Sequence, residues 1–160
     1  MSSRAEAIFF YKVEGLYGCF SNFSSHSIVM KSRWWPTTAH YFQAQKFAGT
    51  AYAEQIRLAP TPQIATEIGR DPRLPLRRDW EQVKDDVMRE AVLHKFATYE
   101  DLAKVLLATG EKQIIENNRL DPYWGCGPDG NGKNRLGHIL VEVRTILRER
   151  VCSSRVIAVY

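Results

Sequence analysis

Residues 36–48 read PTTAHYFQAQKFA, and the change of period inside this stretch decides the fold. Before it, residues 8–13 (IFFYKV) and 28–30 (IVM) are rich in β-branched and aromatic side chains and are bounded by Gly, Ser and Asn. That is a strand signature, and it predicts a small sheet in the first third of the chain. From Thr38 onward the period is helical. Thr37 or Thr38 supplies an N-cap, which puts position 39 in the first turn. At ~100° per residue, Gln43 lies about 40° to one side of Ala39 and Lys46 about 20° to the other. The three line one polar wedge, with Ala44 and Phe47 on the core side. His40 reads as a hydrogen-bonded structural residue.

Working outward, Pro60 and Pro62 separate two short helices, and residues 69–80 (GRDPRLPLRRDW) form a Pro-rich loop that Asp79 ends as an N-cap. Trp80, Val83, Val87 and Ala91 make one helical stripe. Leu136, Ile139, Leu140, Val143, Ile146 and Leu147 make a second, and both stripes predict core. The expectation is an α+β fold: a single domain over 1–160 with a small N-terminal β-sheet and a predominantly helical remainder.

The 160 residues allow one domain with a real core. An apolar fraction of 44% rules out a disordered chain. The net charge of +4 favours an anionic ligand without marking a nucleic-acid binder. Cys19, Cys126 and Cys152 form no CxxC pair and are odd in number, so neither a disulfide framework nor a zinc site is indicated. The stretch MSSRAEAIFFYKV carries too short an apolar run for a signal peptide, and no window reaches the ~18 apolar residues of a membrane span. A cytoplasmic protein without membrane contact is expected. Nothing in the pattern bears on oligomeric state.

Five of the ten glycines fall in Asp121–Gly137, DPYWGCGPDGNGKNRLG. Gly127, Gly132 and Lys133 satisfy the GxxxxGK part of a phosphate-binding loop, but Asn134 stands where Ser or Thr must hold magnesium, and Pro122 forbids a buried strand before it. The weaker expectation is that backbone N–H groups at the following helix start, with Lys133 and Arg135, hold a phosphate. Trp124 argues against an idle surface loop.

In order, CFSNFSS, WPTTAHYFQAQKF, GRDPRLPLRRDWEQVKDDVMREAVLHKF, LLATGEKQIIE and DPYWGCGPDGNGKNRLG resemble the NADAR or YbiA-like N-glycosidases over about residues 8–150. The resemblance implies cleavage of the N-glycosidic bond between a phosphorylated ribose and an exocyclic amine. Its substrates would be ribosylaminopyrimidine phosphates of riboflavin synthesis or ADP-ribose on the guanine amino group, the latter in nucleic acid. In the family a glutamate precedes the histidine of the second of these blocks, and here that position is Ala39. A carboxylate there would stabilise positive charge at C1′ or activate water. The catalytic positions implied are therefore 39, Lys46 and Asp121.

Lys46 either pairs with the ribose phosphate or acts as an amine nucleophile that intercepts a ring-opened imine. Asn22 and Phe23 shape the ribose pocket, Gln43 and Arg70 bind the ligand, and Trp80 and Trp124 are candidates to stack on the base. Trp80 is equally a core residue. Asp121 assists the leaving group or caps its loop. Gly125, Gly132 and Lys133 follow in the loop, and Asn134 offers a donor and an acceptor to the sugar. Departures from the family occur at RLD, which keeps only Asp121 of two acids, and at WGCG, where Cys126 replaces an acid. No metal or redox cofactor is implied. Three functions compete: an N-glycosidase impaired at position 39, a non-catalytic binder of ADP-ribose or ribose phosphate, and a nucleic-acid module. The tryptophans sit in separate blocks rather than interleaved with basic residues, which disfavours the last.

Overall fold

The computed structural model describes residues 6–157, and the N-terminal reading of Met1–Val13 falls partly on residues 1–5, outside that range. The described chain forms two compact units, one from residues 22–98 and one from the residues up to Ser21 together with those from Tyr99 on.

In the 22–98 unit, β2 (Ile28–Met30) and β3 (Arg33–Trp35) form an antiparallel hairpin in which Ile28 faces Trp35 and Met30 faces Arg33. The two-residue turn places Lys31 (φ 51°) and Ser32 (φ 61°) in the left-handed region, the geometry that matches strand twist in so tight a hairpin. Trp35 is buried edge-on against Tyr41 of α1 (Thr38–Gln45), with ring centroids 5.2 Å apart. Thr37 is the N-cap of α1: its Oγ1 accepts from His40 N–H at 3.2 Å and lies 2.8 Å from His40 Nδ1. The expected cap is thereby found. Thr37→Ala should lower unfolding stability by ~1–2 kcal/mol in urea titration.

The polar wedge differs from expectation, because all eight residues of α1 are buried. The helices α2 (Ala51–Arg57), α3 (Pro62–Gly69) and α4 (Trp80–Thr98) and strand β3 all pack on it. The helix is therefore the centre of its unit. His40 is structural: burial lowers its pKa, and with Ala59 O accepting from Nε2 at 3.0 Å, Nδ1 is left to accept from the Thr37 hydroxyl. On α4, Trp80, Val87 and Ala91 of the predicted stripe are buried, together with Met88, Val92 and Phe96. Asp79 starts this helix through its backbone carbonyl, which accepts from Gln82 and Val83. Its carboxylate pairs with Arg77 instead of capping.

In the other unit, β1 (Ala7–Phe10) pairs in parallel with β4 (Gln113–Glu116), with Ile8 opposite Ile114 and Phe10 opposite Glu116. A turn of 3₁₀ helix follows β1 at Gly18–Phe20. The sheet is thus not confined to the first third of the chain. The β1 run stops at Phe10, before the predicted end at Val13, and among the described residues its only strand partner lies more than a hundred residues away. Helix α6 (Arg135–Ile157) packs on β4 and on α5 (Glu100–Ala108), burying Leu136, Ile139, Leu140, Val143 and Leu147 of the second stripe. Arg144 of α6 is buried and donates to Thr109 Oγ1 and Lys112 O, both at 2.8 Å. Among the described residues no helix is long and apolar enough to cross a membrane.

Candidate functional site

In the 22–98 unit the structure gathers Gln43, Lys46, Arg70 and Trp80. Lys46 follows the last residue of α1, and its Nζ donates to Gly69 O at 3.1 Å while lying 5.8 Å from the ring centroids of both Phe42 and Trp80. Burial, aided by the positive charges of Arg70 and Lys84 and only partly opposed by Glu81, pushes its pKa down to about 8. Arg70, the C-cap of α3, is exposed, and among the described residues it has no ion pair. Its loop neighbours Arg73 and Arg77 are instead neutralised by Asp71 and Asp79. Arg70 is thus an unneutralised cation of this loop whose charge is felt at Lys46.

Gln43 is 7% exposed, and its buried Oε1 has no hydrogen-bond partner. It can sit there because residue 69 is glycine: a Cβ at that position would lie 2.2 Å from Gln43 Oε1 and 2.8 Å from Gln43 Cβ. Gly69→Ala should therefore displace Gln43, lowering stability by ~1–3 kcal/mol in chemical denaturation. Trp80 is 5% exposed and packs on Phe42 at 5.1 Å, so it forms a wall beside Lys46 rather than an open stacking surface.

Ala39 occupies the first turn of α1 as expected and is 4% exposed. Its N–H donates to Asn22 O at 3.1 Å, and Asn22 Oδ1 accepts from the Thr38 hydroxyl at 2.8 Å. Asn22 Nδ2 reaches Met88 Sδ at 3.3 Å. The SNF block is thereby tied to the start of α1, with Phe23 half-buried beside it in sequence.

In the other unit, the Gly-rich segment folds on itself. The N–H groups of Lys133, Asn134, Arg135 and Leu136 donate to the carbonyls of Pro122, Gly125, Tyr123 and Trp124. The anion cradle expected at this helix start is therefore absent: the donors that would face a phosphate are engaged by their own loop. Gly132 is required by that closure, since a Cβ would meet Gly125 O at 2.5 Å. Gly125 is buried, and its Cβ would meet Asn118 and Asp121 backbone. Lys133 is exposed with Nζ 5.4 Å from the Tyr123 ring centroid, and Trp124 is half-buried, edge-on to Tyr123 at 4.9 Å.

Asp121 caps this loop: Oδ1 accepts from Tyr123 N–H at 2.9 Å and Trp124 N–H at 2.8 Å. Asn134, predicted to meet a sugar, turns its amide to β4, with Oδ1 accepting from Glu116 N–H at 2.9 Å and Nδ2 donating to Ile114 O at 2.8 Å. Glu116 itself was not singled out by the sequence. Its Oε2 is buried without a partner, and burial together with the neighbouring Asp121 charge pushes its pKa up to about 7. An acid ending a short apolar strand just before a Gly-rich loop was the available signal.

Because the folded protein holds this proton more tightly than the unfolded chain, Glu116 contributes stability below about pH 4.5 that is lost as pH rises through about 7. The loss is about 3 kcal/mol at most. Urea titration at pH 5 and pH 8 should show Glu116→Gln gaining stability relative to the parent chain at the higher pH. Among the described residues no group of three or more His, Cys, Asp and Glu could hold a metal ion.

The model of the NADAR domain matches residues 9–148. The chain is 49% identical over 144 residues to the N-glycosidase Npun_R5314 of Nostoc punctiforme, covering 88% of this chain and 92% of that protein. It is 47% identical over 135 residues to the N-glycosidase YbiA of Escherichia coli, covering 84% of each. It is also 41% identical over 154 residues to the chloroplastic riboflavin biosynthesis protein PYRR of Zea mays, covering 86% of this chain and 25% of that one. The solution structure of E. coli YbiA superimposes with a TM-score of 0.86 at 43% identity, over 94% of this chain and 89% of that one. With the strands and helices in this order and the family's pattern running through both units, the chain belongs to the NADAR domain family.

Proposed function

We propose that this protein is an N-glycosidase that hydrolyses the bond between a phosphorylated ribose and an exocyclic amine, with turnover reduced by alanine at position 39. The relatives' names, N-glycosidase and riboflavin biosynthesis protein, support that reaction class and a ribosylaminopyrimidine phosphate as substrate. The observation that carries the reading is Lys46: a partly desolvated amine, held by a backbone carbonyl beside two aromatic rings, with its pKa pushed down to about 8.

A ribose joined through an amine opens to an imine at C1′. Neutral Lys46 adds to that carbon, the substrate amine departs, and the resulting lysine imine is hydrolysed by water to release the ribose phosphate and the free lysine. Arg70 supplies positive charge for the phosphate. Guanine carrying ADP-ribose on its amino group presents the same C1′–N linkage and is the second candidate substrate.

Incubating the protein separately with a ribosylaminopyrimidine phosphate and with ADP-ribosylated guanine, and following the free amine by mass spectrometry, tests this. Slow release from one of them is expected, and the responsive compound identifies the substrate. Binding of both without release, here and with glutamate restored at position 39, would replace the enzyme by a ribose-phosphate binding protein.

A further inference from the structure

Lys46 stands three residues after Gln43, so the two side chains leave the same face of the chain, and Lys46 N–H donates to Gln43 O at 3.3 Å. Both side chains reach Gly69 of α3. Lys46 Nζ donates to Gly69 O at 3.1 Å, and Gln43 lies so close against the same residue that a Cβ there would fall 2.2 Å from its Oε1 and 2.8 Å from its Cδ. One glycine thus carries the amine and the amide together.

The amide makes no hydrogen bond among the described residues, although Gln43 is buried and its Oε1 is closed off from the surface. Its neighbours supply no partner: Lys46 Nζ is turned to Gly69 O, Arg70 is exposed, and Phe42 and Trp80 contribute rings. A buried amide left unpaired is destabilising, and a side chain held there for packing alone would be replaced without loss by methionine. A ligand group that pairs with the amide explains why glutamine stands at this position.

That group can be named from the position of Lys46. Once Lys46 has bonded to C1′ as an imine, that carbon carries, besides hydrogen, only the next carbon of the sugar. The hydroxyl on C2′ is then the polar group of the sugar nearest to Nζ. A hydroxyl donates to an amide oxygen and accepts from an amide nitrogen, so it can meet either end of a glutamine. A phosphate dianion offers only acceptors and would leave Oε1 unpaired.

We propose that Gln43 is a specificity-determining residue that binds the C2′ hydroxyl and selects ribose over 2-deoxyribose; this rests on the N-glycosidase reading, in which Lys46 bonds to C1′. A sugar lacking that hydroxyl leaves the amide buried and unpaired, which is the condition for strong rejection.

Calorimetric titration of ribose 5-phosphate and of 2-deoxyribose 5-phosphate into the full chain and into Gln43→Met tests this. The two sugars share the aldehyde carbon and the phosphate and differ at C2′ alone. The parent chain should bind ribose 5-phosphate about ten- to a hundredfold more tightly, and Gln43→Met should bind the two within about threefold of each other. The Tm of Gln43→Met should be no lower than the parent's, since the amide it removes has no partner in the fold. Equal affinity of the parent for the two sugars, or no binding of either, would overturn the assignment. Undiminished discrimination in Gln43→Met would overturn it too, marking an amide that pairs with water rather than with the sugar. Amine release from a ribosylaminopyrimidine phosphate is followed alongside. Its absence from the parent chain and its Ala39→Glu form alike would reject the N-glycosidase reading, and the titrations then decide the role of Gln43 by themselves; release without discrimination at C2′ would reject only that role.

Discussion

Lys46→Arg should abolish most turnover, lowering kcat by at least about 10²-fold. With its pKa near 8, Lys46 is unprotonated in about one molecule in ten at pH 7, against about one in three thousand for an ordinary lysine. Arginine keeps a positive charge for a phosphate but offers no neutral amine at any accessible pH. If Lys46 served only as a charge, arginine would retain most of the activity and raise KM modestly. Steady-state kinetics of the two forms on the responsive substrate separates these outcomes. In the parent chain, kcat should also rise from pH 6 toward pH 8 on the limb set by Lys46 losing its proton.

Ala39→Glu is the second large effect. A carboxylate at position 39, where the resemblance to the family implies one, should raise kcat by ~10²–10⁴-fold. Position 39 is 4% exposed, so the longer side chain should cost about 1–3 kcal/mol in packing, partly offset by the helix N-terminus, worth ~0.3–1 kcal/mol to an acid. Faster turnover with a lower Tm is therefore expected. A lower Tm with no gain in amine release would mean that position 39 does not face the reacting carbon.

Much of the local structure was legible because it rests on nearest neighbours along the chain. The Thr37 cap, the breaks at Pro60 and Pro62, and the buried stripes of α4 and α6 all follow from short-range period and capping chemistry. What escaped reading depends on distant pairing. Strand β4 has four residues and gains its identity from β1, and only that pairing exposes the buried, unbonded carboxyl of Glu116. Similarly, Ala39 and Gln43 lie on a helix against which three other helices pack, and that packing is not written in the local period.

The Gly-rich loop shows the opposite failure. Its composition suggested open N–H donors for a phosphate, whereas the glycines let the loop close on its own carbonyls. The sequence leaves Lys46 as either a charge or a nucleophile, and the packing around its amine comes from the distant or non-adjacent residues 42, 69 and 80.

The central claim is a covalent intermediate on one lysine. Borohydride reduction of the protein during incubation with a ribosylaminopyrimidine phosphate, followed by peptide mass spectrometry, tests it directly. The account predicts a reduced ribose-phosphate adduct on Lys46 that is absent from Lys46→Arg. Release of the amine without any such adduct, or an adduct confined to another lysine, would contradict it.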